Sequence, residues 1–411
     1  MRSWRGTFRA VWAANLVTGT GMMSFLPWFP SILENLGLED PKAVSTWAGL
    51  CFGAAPLTAT LSAPLWGAVG DRLGRKLMVL RSLLAIALFT GAMAFARTPL
   101  QLLLLRAGQG LFSGFVAPSI TLASVGAPAD RQGRVAGDLQ TALALGSILG
   151  PSFGGFLGWL GGPRLLFLSV SGAACASALL VAALAHEAPG TRLSRSGSLA
   201  PAALLGEFAG LLRRPGVRAL LGILFVLQLG LATTNPVLEL QVRHLLGAAA
   251  GNHAVSFWTS LVFGLTAVAN LVALPFWGRF GDRHGHGPAL VLVLILALAG
   301  LLLQAVAPSP WLLAAGRVVF GAGLAGAAPL AYGMAAGEIS VERRGGGFGA
   351  LFSARTAAAA SGAMLGGWAF ARLGFRGVLL VSAAATLAVL LRTAGRLRAS
   401  GRVILRPGGD C

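Results

Sequence analysis

The chain has 411 residues, of which 55% are hydrophobic and only 11% charged, whereas a soluble globular protein carries about 25% charged residues. So few charges cannot cover a water-facing surface of this size, which excludes a soluble enzyme and leaves lipid as the solvent that fits. The formal charge of +19, from 32 Lys+Arg against 13 Asp+Glu, would suggest nucleic acid in a soluble protein. In a membrane protein it reads as topology instead, because Lys and Arg collect in cytoplasmic loops.

A spanning helix needs about 20 apolar residues, and twelve such runs are present. Spans 1 to 6 are predicted at about 8–33, 44–66, 77–97, 99–124, 134–160 and 164–186. Spans 7 to 12 are predicted at about 218–242, 253–277, 288–307, 310–336, 346–370 and 374–394. The domain division that follows is a six-helix bundle over 1–187, a cytoplasmic linker over 188–217, a second six-helix bundle over 218–396 and a basic cytoplasmic tail over 397–411. The basic start, residues 1–9, runs into an apolar segment in the manner of a signal peptide. With Pro27 and Pro30 near its far end and eleven spans behind it, it is read as a retained first helix.

Charge placement sets the orientation. With the N-terminus inside, inward segments hold 23 of the 32 basic residues and outward segments six, while Arg106, Arg317 and Arg355 remain within spans. Both termini are therefore expected in the cytoplasm. Trp12, Trp66 and Trp277 at inner span ends, with Trp28, Trp47, Trp159 and Trp311 at outer ones, read as interfacial anchors. Cys51, Cys175 and Cys411 are too scattered for a disulfide framework or a zinc site.

Span 1 offers Asn15, Thr18 and Thr20 as its polar groups. After span 2 comes Gly67-Ala-Val-Gly70-Asp71-Arg72-Leu-Gly74-Arg75-Lys76, read as a tight turn whose glycines allow close helix approach. Positive-inside topology explains the arginines and lysine there but not the glycine and aspartate spacing. This segment resembles the signature loop of the major facilitator superfamily. That resemblance implies an all-α integral membrane protein, with twelve transmembrane helices in two pseudo-symmetric six-helix bundles. It also implies a role for Asp71, Arg72, Arg75 and Lys76 in latching the inner gate, with Asp130 as a partner for Arg75.

Span 4 carries Arg106-Ala-Gly-Gln109-Gly110. An arginine within hydrocarbon costs several kcal/mol unless it faces a cavity or a partner, and the segment resembles a second superfamily motif whose arginine is implicated in proton coupling. Span 5 carries Gly137, Gly146, Gly150, Pro151, Gly154 and Gly155. Glycines four apart share a helix face and admit another backbone, while the proline bends the helix. The same positions fit the motif of the superfamily's proton antiporters, where it shapes a hinge and seals the proton path. The whole chain most resembles the twelve-span drug:proton antiporters of the MdtG type.

In the second half, Trp277-Gly278-x-x-Gly281-Asp282-Arg283-x-Gly285 repeats the first loop 211 residues on, with His286 and Gly287 in place of its basic pair. At the same offset Arg317 answers Arg106, and Gly362, Gly366 and Gly367 answer the glycines of span 5 one residue later. Facing repeats of this kind place a substrate site near mid-membrane between them. Acidic candidates away from the inner loops are Glu34, Asp138, Glu239 and Glu338, all towards span ends and none mid-membrane, so the coupling residue stays unassigned with Glu239 on span 7 as the candidate. Arg106, Arg317 and Arg355 without a mid-span acid suggest an electropositive cavity that favours anionic or neutral amphiphiles. Arginines paired with acids or carbonyls would argue otherwise.

Two enzyme-like patterns are packing glycines. Gly150-Pro-Ser152-Phe-Gly154 mimics a nucleophile elbow without a preceding strand, and Gly321-Ala-Gly323-Leu-Ala-Gly326 mimics a dinucleotide fingerprint without its βαβ setting. No catalytic site, cofactor, metal or nucleic-acid partner is expected. The reading is a monomeric inner-membrane transporter, not an enzyme, whose partners are a small-molecule substrate, protons and the lipid bilayer. Proton-coupled efflux of drugs or small amphiphiles is favoured. A proton-linked permease or exporter of one metabolite, such as a sugar or organic anion, is the alternative, and a transport-dead membrane sensor the third reading.

Overall fold

A computed structural model describes residues 4–128, 131–187, 214–247, 249, 251–338 and 344–399. Residues 188–213 of the linker, Asp130 and residues 400–411 of the tail lie outside the described residues. Among the described residues the regular structure is helical, in pieces that assemble into twelve spans.

Span 1 is Trp4–Ser24 continued, after a turn at Leu26–Trp28, by Phe29–Asn35. Span 2 is Pro41–Leu73 and span 3 is Arg75–Met93. Span 4 is broken into Pro99–Phe112 and Val116–Val125. Spans 5 and 6 are the two limbs of Gln132–Leu184, divided by non-helical Gly161 and Gly162. Span 7 is Pro215–Thr234, a turn at Asn235–Val237, and Leu238–Leu246. Spans 8, 9 and 10 are Asn252–His284, His286–Ala305 and Pro310–Glu338. Spans 11 and 12 are the limbs of Arg344–Ala399, divided at Gly374.

After six spans the chain returns to where it began: the backbone N–H of His186 donates to Thr7 Oγ1 at 2.9 Å. In the second half Arg396 on span 12 donates to the carbonyl of Pro215 at the start of span 7. The end carrying these contacts is the near end below, and the opposite one the far end.

The internal repeat of the sequence is a repeat of contacts. Trp66 Nε1 donates to the Leu111 carbonyl and Trp277 Nε1 to the Ala322 carbonyl, both at 2.7 Å. Gly110 packs on the Ala55 carbonyl and Gly321 on the Thr266 carbonyl. The sharp reversals fall on single glycines with positive φ, Gly74 and Gly285 in one pair, Gly162 and Gly374 in the other. Glycine enters this region without the steric cost other residues meet.

Three expectations are corrected. The motif after span 2 is not a turn over its whole length, because the helix runs on to Leu73 and only Gly74 leaves helical geometry. Spans 4 and 7 are interrupted, at Ser113–Phe115 where Gly114 has φ +103°, and at Asn235–Val237 where Pro236 has no N–H to donate. Trp277 is not an interfacial anchor: it is 2% exposed and wedged against Gly326, with its N–H bound inside the bundle.

Candidate transport site and gates

The span-embedded arginines are buried at separate places. Arg106 is 6% exposed; its Nε donates to the Cys51 carbonyl of span 2 at 3.1 Å, and its Nη1 to Gln109 Oε1. Gln109 Nε2 passes the chain on to Thr90 Oγ1 of span 3 at 2.8 Å. The guanidinium stands 5.3 and 5.4 Å from the rings of Phe25 and Phe29 on span 1, close enough for cation–π attraction. Arg317 is 1% exposed and donates from Nη1 to Asn235 Oδ1 and from Nη2 to Thr234 Oγ1, each at 3.0 Å. Both arginines thus point at the break in the first span of their half, where the backbone leaves regular helix. Arg355 is half-buried and hydrogen-bonds Tyr332 of span 10.

Arg106 and Arg317 are held by neutral oxygens of residues in their own half. Their bonds to a carbonyl, two side-chain amide oxygens and one hydroxyl make them cross-ties between helices, while Arg317 Nε is buried with no hydrogen-bond partner among the described residues. Asn15 is likewise internal: its Nδ2 donates to the Val11 carbonyl at 2.8 Å and to Ser119 Oγ on the second piece of span 4 at 3.3 Å.

The glycines of span 5 divide. Gly146 lies on the Leu16 carbonyl, Gly150 on that of Thr20 and Gly154 on that of Ser24, so these three form a groove for span 1. A methyl added at Gly154 would overlap the Ser24 carbonyl. Pro151 is buried beside them. Gly155 faces Ser260 of span 8, in the other half. Gly137 has nothing within 4 Å and stands apart from the set.

At the near end, Glu187 does what the motif alone did not announce. Its Oε1 accepts from the backbone N–H of Arg75 at 2.7 Å, capping the start of span 3, where orphan N–H groups and the helix dipole favour an acid. Lys76 Nζ donates to the Ala182 carbonyl at 2.7 Å. Asp71 and Arg72 lie in the helix, but their side chains, like Asp130, fall outside the described residues. Gly67 lies on the same helix, and Gly70 faces Met78. In the second half Gly278 has open space around it, and Asp282 lies 3.8 Å from His286 Nε2, both side chains exposed. Arg283 sits beside them in the last turn of span 8.

The halves meet in the far part of the bundle. Gly49 and Gly53 of span 2 lie against the carbonyls of Ala363 and Ala360 on span 11, and Gly367 answers against Ser45. A Cβ at Gly49 would come 2.5 Å from the Ala363 carbonyl oxygen. Beyond these lies a charged cluster. Glu239, 4% exposed, accepts from Ser31 N at 3.3 Å, from Ser31 Oγ, and from Arg243 Nη2 at 3.3 Å. Arg243 Nη2 also reaches Glu34 Oε2 at 3.3 Å. Two residues of span 1 and two of span 7 are thereby tied across the halves. In the sequence, the four-residue spacing of Glu239 and Arg243 is the one signal that these side chains share a helix face, and nothing local points to Ser31 or Glu34 as their partners.

This architecture, two repeated six-helix bundles meeting along facing spans, is that of a transporter. The family model described as Major Facilitator Superfamily matches residues 11–257 and 220–403, and the chain belongs to that family. It is a multi-pass membrane protein and a secondary transporter. It is 30% identical over 386 residues to the multidrug resistance protein MdtG of Citrobacter koseri (strain ATCC BAA-895 / CDC 4225-83 / SGSC4696), covering 94% of this chain and 93% of that one. To MdtG of Proteus mirabilis (strain HI4320) it is 29% identical over 382 residues, covering 93% of each. Its fold matches the crystal structure of the nucleoside transporter NupG with a TM-score of 0.75 at 14% identity, over 96% of this chain and 99% of that one.

Proposed function

We propose that this transporter exports drugs or other small amphiphilic compounds in exchange for protons, by alternating access between its two halves. The observation that carries the reading is likeness over nearly the full length of both chains to proteins named for multidrug resistance. The span 5 glycines support it. Gly146, Gly150 and Gly154 seat span 1 on span 5 without side chains between them, as a seam that must seal against protons requires. The distribution of Lys and Arg supports a cytoplasmic near end and a place in the bacterial inner membrane, with the monomer as the working unit. In this reading Asp71, Arg72, Arg75, Lys76 and Asp130 form the near-side latch, and Gly278, Asp282 and Arg283 a weaker counterpart.

Inside-out vesicles with an imposed pH gradient test this. Lipophilic dyes should collapse the gradient, whereas a panel of sugars and organic anions should not. Substrate binding without proton movement overturns antiport. Gradient collapse by a single sugar or anion identifies a dedicated metabolite exporter instead.

A further inference from the structure

We propose that Ser31, Glu34, Glu239 and Arg243 form a proton-operated lock on the far-end gate, held shut by the ionised carboxylate of Glu239. The inference deepens the transporter reading and rests on it for the far end being a gate.

The cluster joins two elements that must separate if the far end is to open. Ser31 and Glu34 belong to Phe29–Asn35 of span 1, and Glu239 and Arg243 to Leu238–Leu246 of span 7. The groups aimed at the Glu239 carboxylate are all donors: the Ser31 backbone N–H, the Ser31 hydroxyl and an Arg243 N–H. Such a shell suits an acceptor with negative charge, and an added proton must displace one of these donors or turn the Ser31 hydroxyl, which already accepts from Arg243 Nη2 at 3.3 Å, round to accept it. Protonation removes the charge that gathers the three donors and leaves across the halves the hydrogen bond from Arg243 Nη2 to Ser31 Oγ and the ion pair of Arg243 with Glu34, whose side chains are about a third exposed (34% and 32%). An exposed pair of that kind is weak. The charged side chains acting on Glu239 are Arg243 from its own helix and Glu34 from span 1.

The exposed rim also gives the proton its route. Glu239 is buried, while Arg243 in contact with it and Glu34 in contact with Arg243 are each about a third exposed, and in this proposal acidity on the far side reaches the carboxylate along that contact. An acidic far side therefore biases the gate towards opening, in the direction an exporter needs for release.

The test uses full-length protein in lipid nanodiscs, with Cys51, Cys175 and Cys411 replaced and spin labels at Lys42→Cys and Arg372→Cys. These exposed positions border one cleft between spans 2 and 11, outside the lock. Distances are measured between about pH 8 and about pH 5, a window chosen around carboxylate and histidine titration. The expected result is a far-end open population that grows on acidification. In Glu239→Gln, which mimics the protonated form, it should be raised about tenfold at neutral pH, the scale of losing a charged hydrogen bond, and no longer respond to pH. Glu34→Gln should keep the response.

A Glu239→Gln protein with the parent's distances and pH response overturns the proposal. If that variant does not fold, Ser31→Ala and Arg243→Gln must each raise the open population, and closed far ends in both overturn it equally. The readout needs no substrate. A lock that responds as expected in a protein that moves neither drug nor proton would sink the export reading and leave the lock standing.

Discussion

Trp277 donates its indole N–H to the carbonyl oxygen of Ala322 at 2.7 Å, tying span 8 to span 10. Trp66 makes the same bond to Leu111 between spans 2 and 4. The two bonds have unequal settings, since Trp277 is almost fully buried whereas Trp66 is half-buried.

That asymmetry yields the first prediction. Trp277→Phe keeps most of the apolar volume but removes the second hydrogen bond to a carbonyl that retains its helical one, at about 0.5–1.5 kcal/mol. Trp277→Ala adds a cavity and should cost about 3–5 kcal/mol. Trp66→Phe should cost less than Trp277→Phe. Thermal unfolding in detergent, followed by intrinsic fluorescence of the remaining tryptophans, checks the order.

Arg317 holds the interrupted part of span 7 through two oxygens in two directions, a task for a planar fork rather than a point charge. Arg317→Lys should therefore lower efflux by roughly tenfold, the factor of about 1.4 kcal/mol, and Arg317→Ala by more. Thr234→Val, which removes one of the two acceptors, should fall between Arg317→Lys and the parent. Rates normalised to membrane expression decide the matter. Full activity in the lysine variant would show that the geometry is dispensable.

Gly154 and Gly137 belong to the same motif but have opposite surroundings. Gly154→Ala places a methyl into the Ser24 carbonyl and must force spans 1 and 5 apart, whereas Gly137→Ala enters open space. The first should lose stability by about 1–3 kcal/mol and leak protons, measured as faster decay of a pH gradient in proteoliposomes. The second should change neither. A leak from Gly137→Ala alone would assign the motif a role other than packing.

At the near end, Gly74 has φ +98° with the Glu187 carboxylate pressed against it. Gly74→Ala should cost about 1–2 kcal/mol from the left-handed backbone alone, and more from the contact with Glu187. Glu187→Ala removes the cap on span 3 and should cost about 0.5–2 kcal/mol. Because the two residues touch, the double variant should cost less than the two single losses combined, which a chemical-denaturation or thermal cycle would read.

Much of the fold was legible because the constraints are local. Spans are contiguous apolar runs, and the reversals between spans 5 and 6 and between 11 and 12 fall on Gly162 and Gly374, at the divisions already drawn from the sequence. The breaks in spans 4 and 7 were not drawn. Gly114 and Pro236 sit inside apolar stretches whose composition does not register an interruption of a few residues. The roles of Arg106 and Arg317 were also out of reach, because a buried arginine in a span reads alike whether it faces a cavity or ties helices together. Glu187 stands in the sequence as the last residue of the first bundle with nothing to mark a partner, although it caps a helix more than a hundred positions earlier in the chain.

Composition, the density of basic residues and the 211-residue repeat by themselves determined that the protein lives in a membrane, in two six-span halves. They do so because the lipid requirement acts on every residue of a span at once. Which polar side chains meet was decided only by the tertiary structure. Ser31 and Glu239 are 208 positions apart, and no local rule of sequence brings them together. Their encounter depends on where the closed far end seats span 1 against span 7, and with it the conversion of an acid at a span end into the centre of a cross-half cluster.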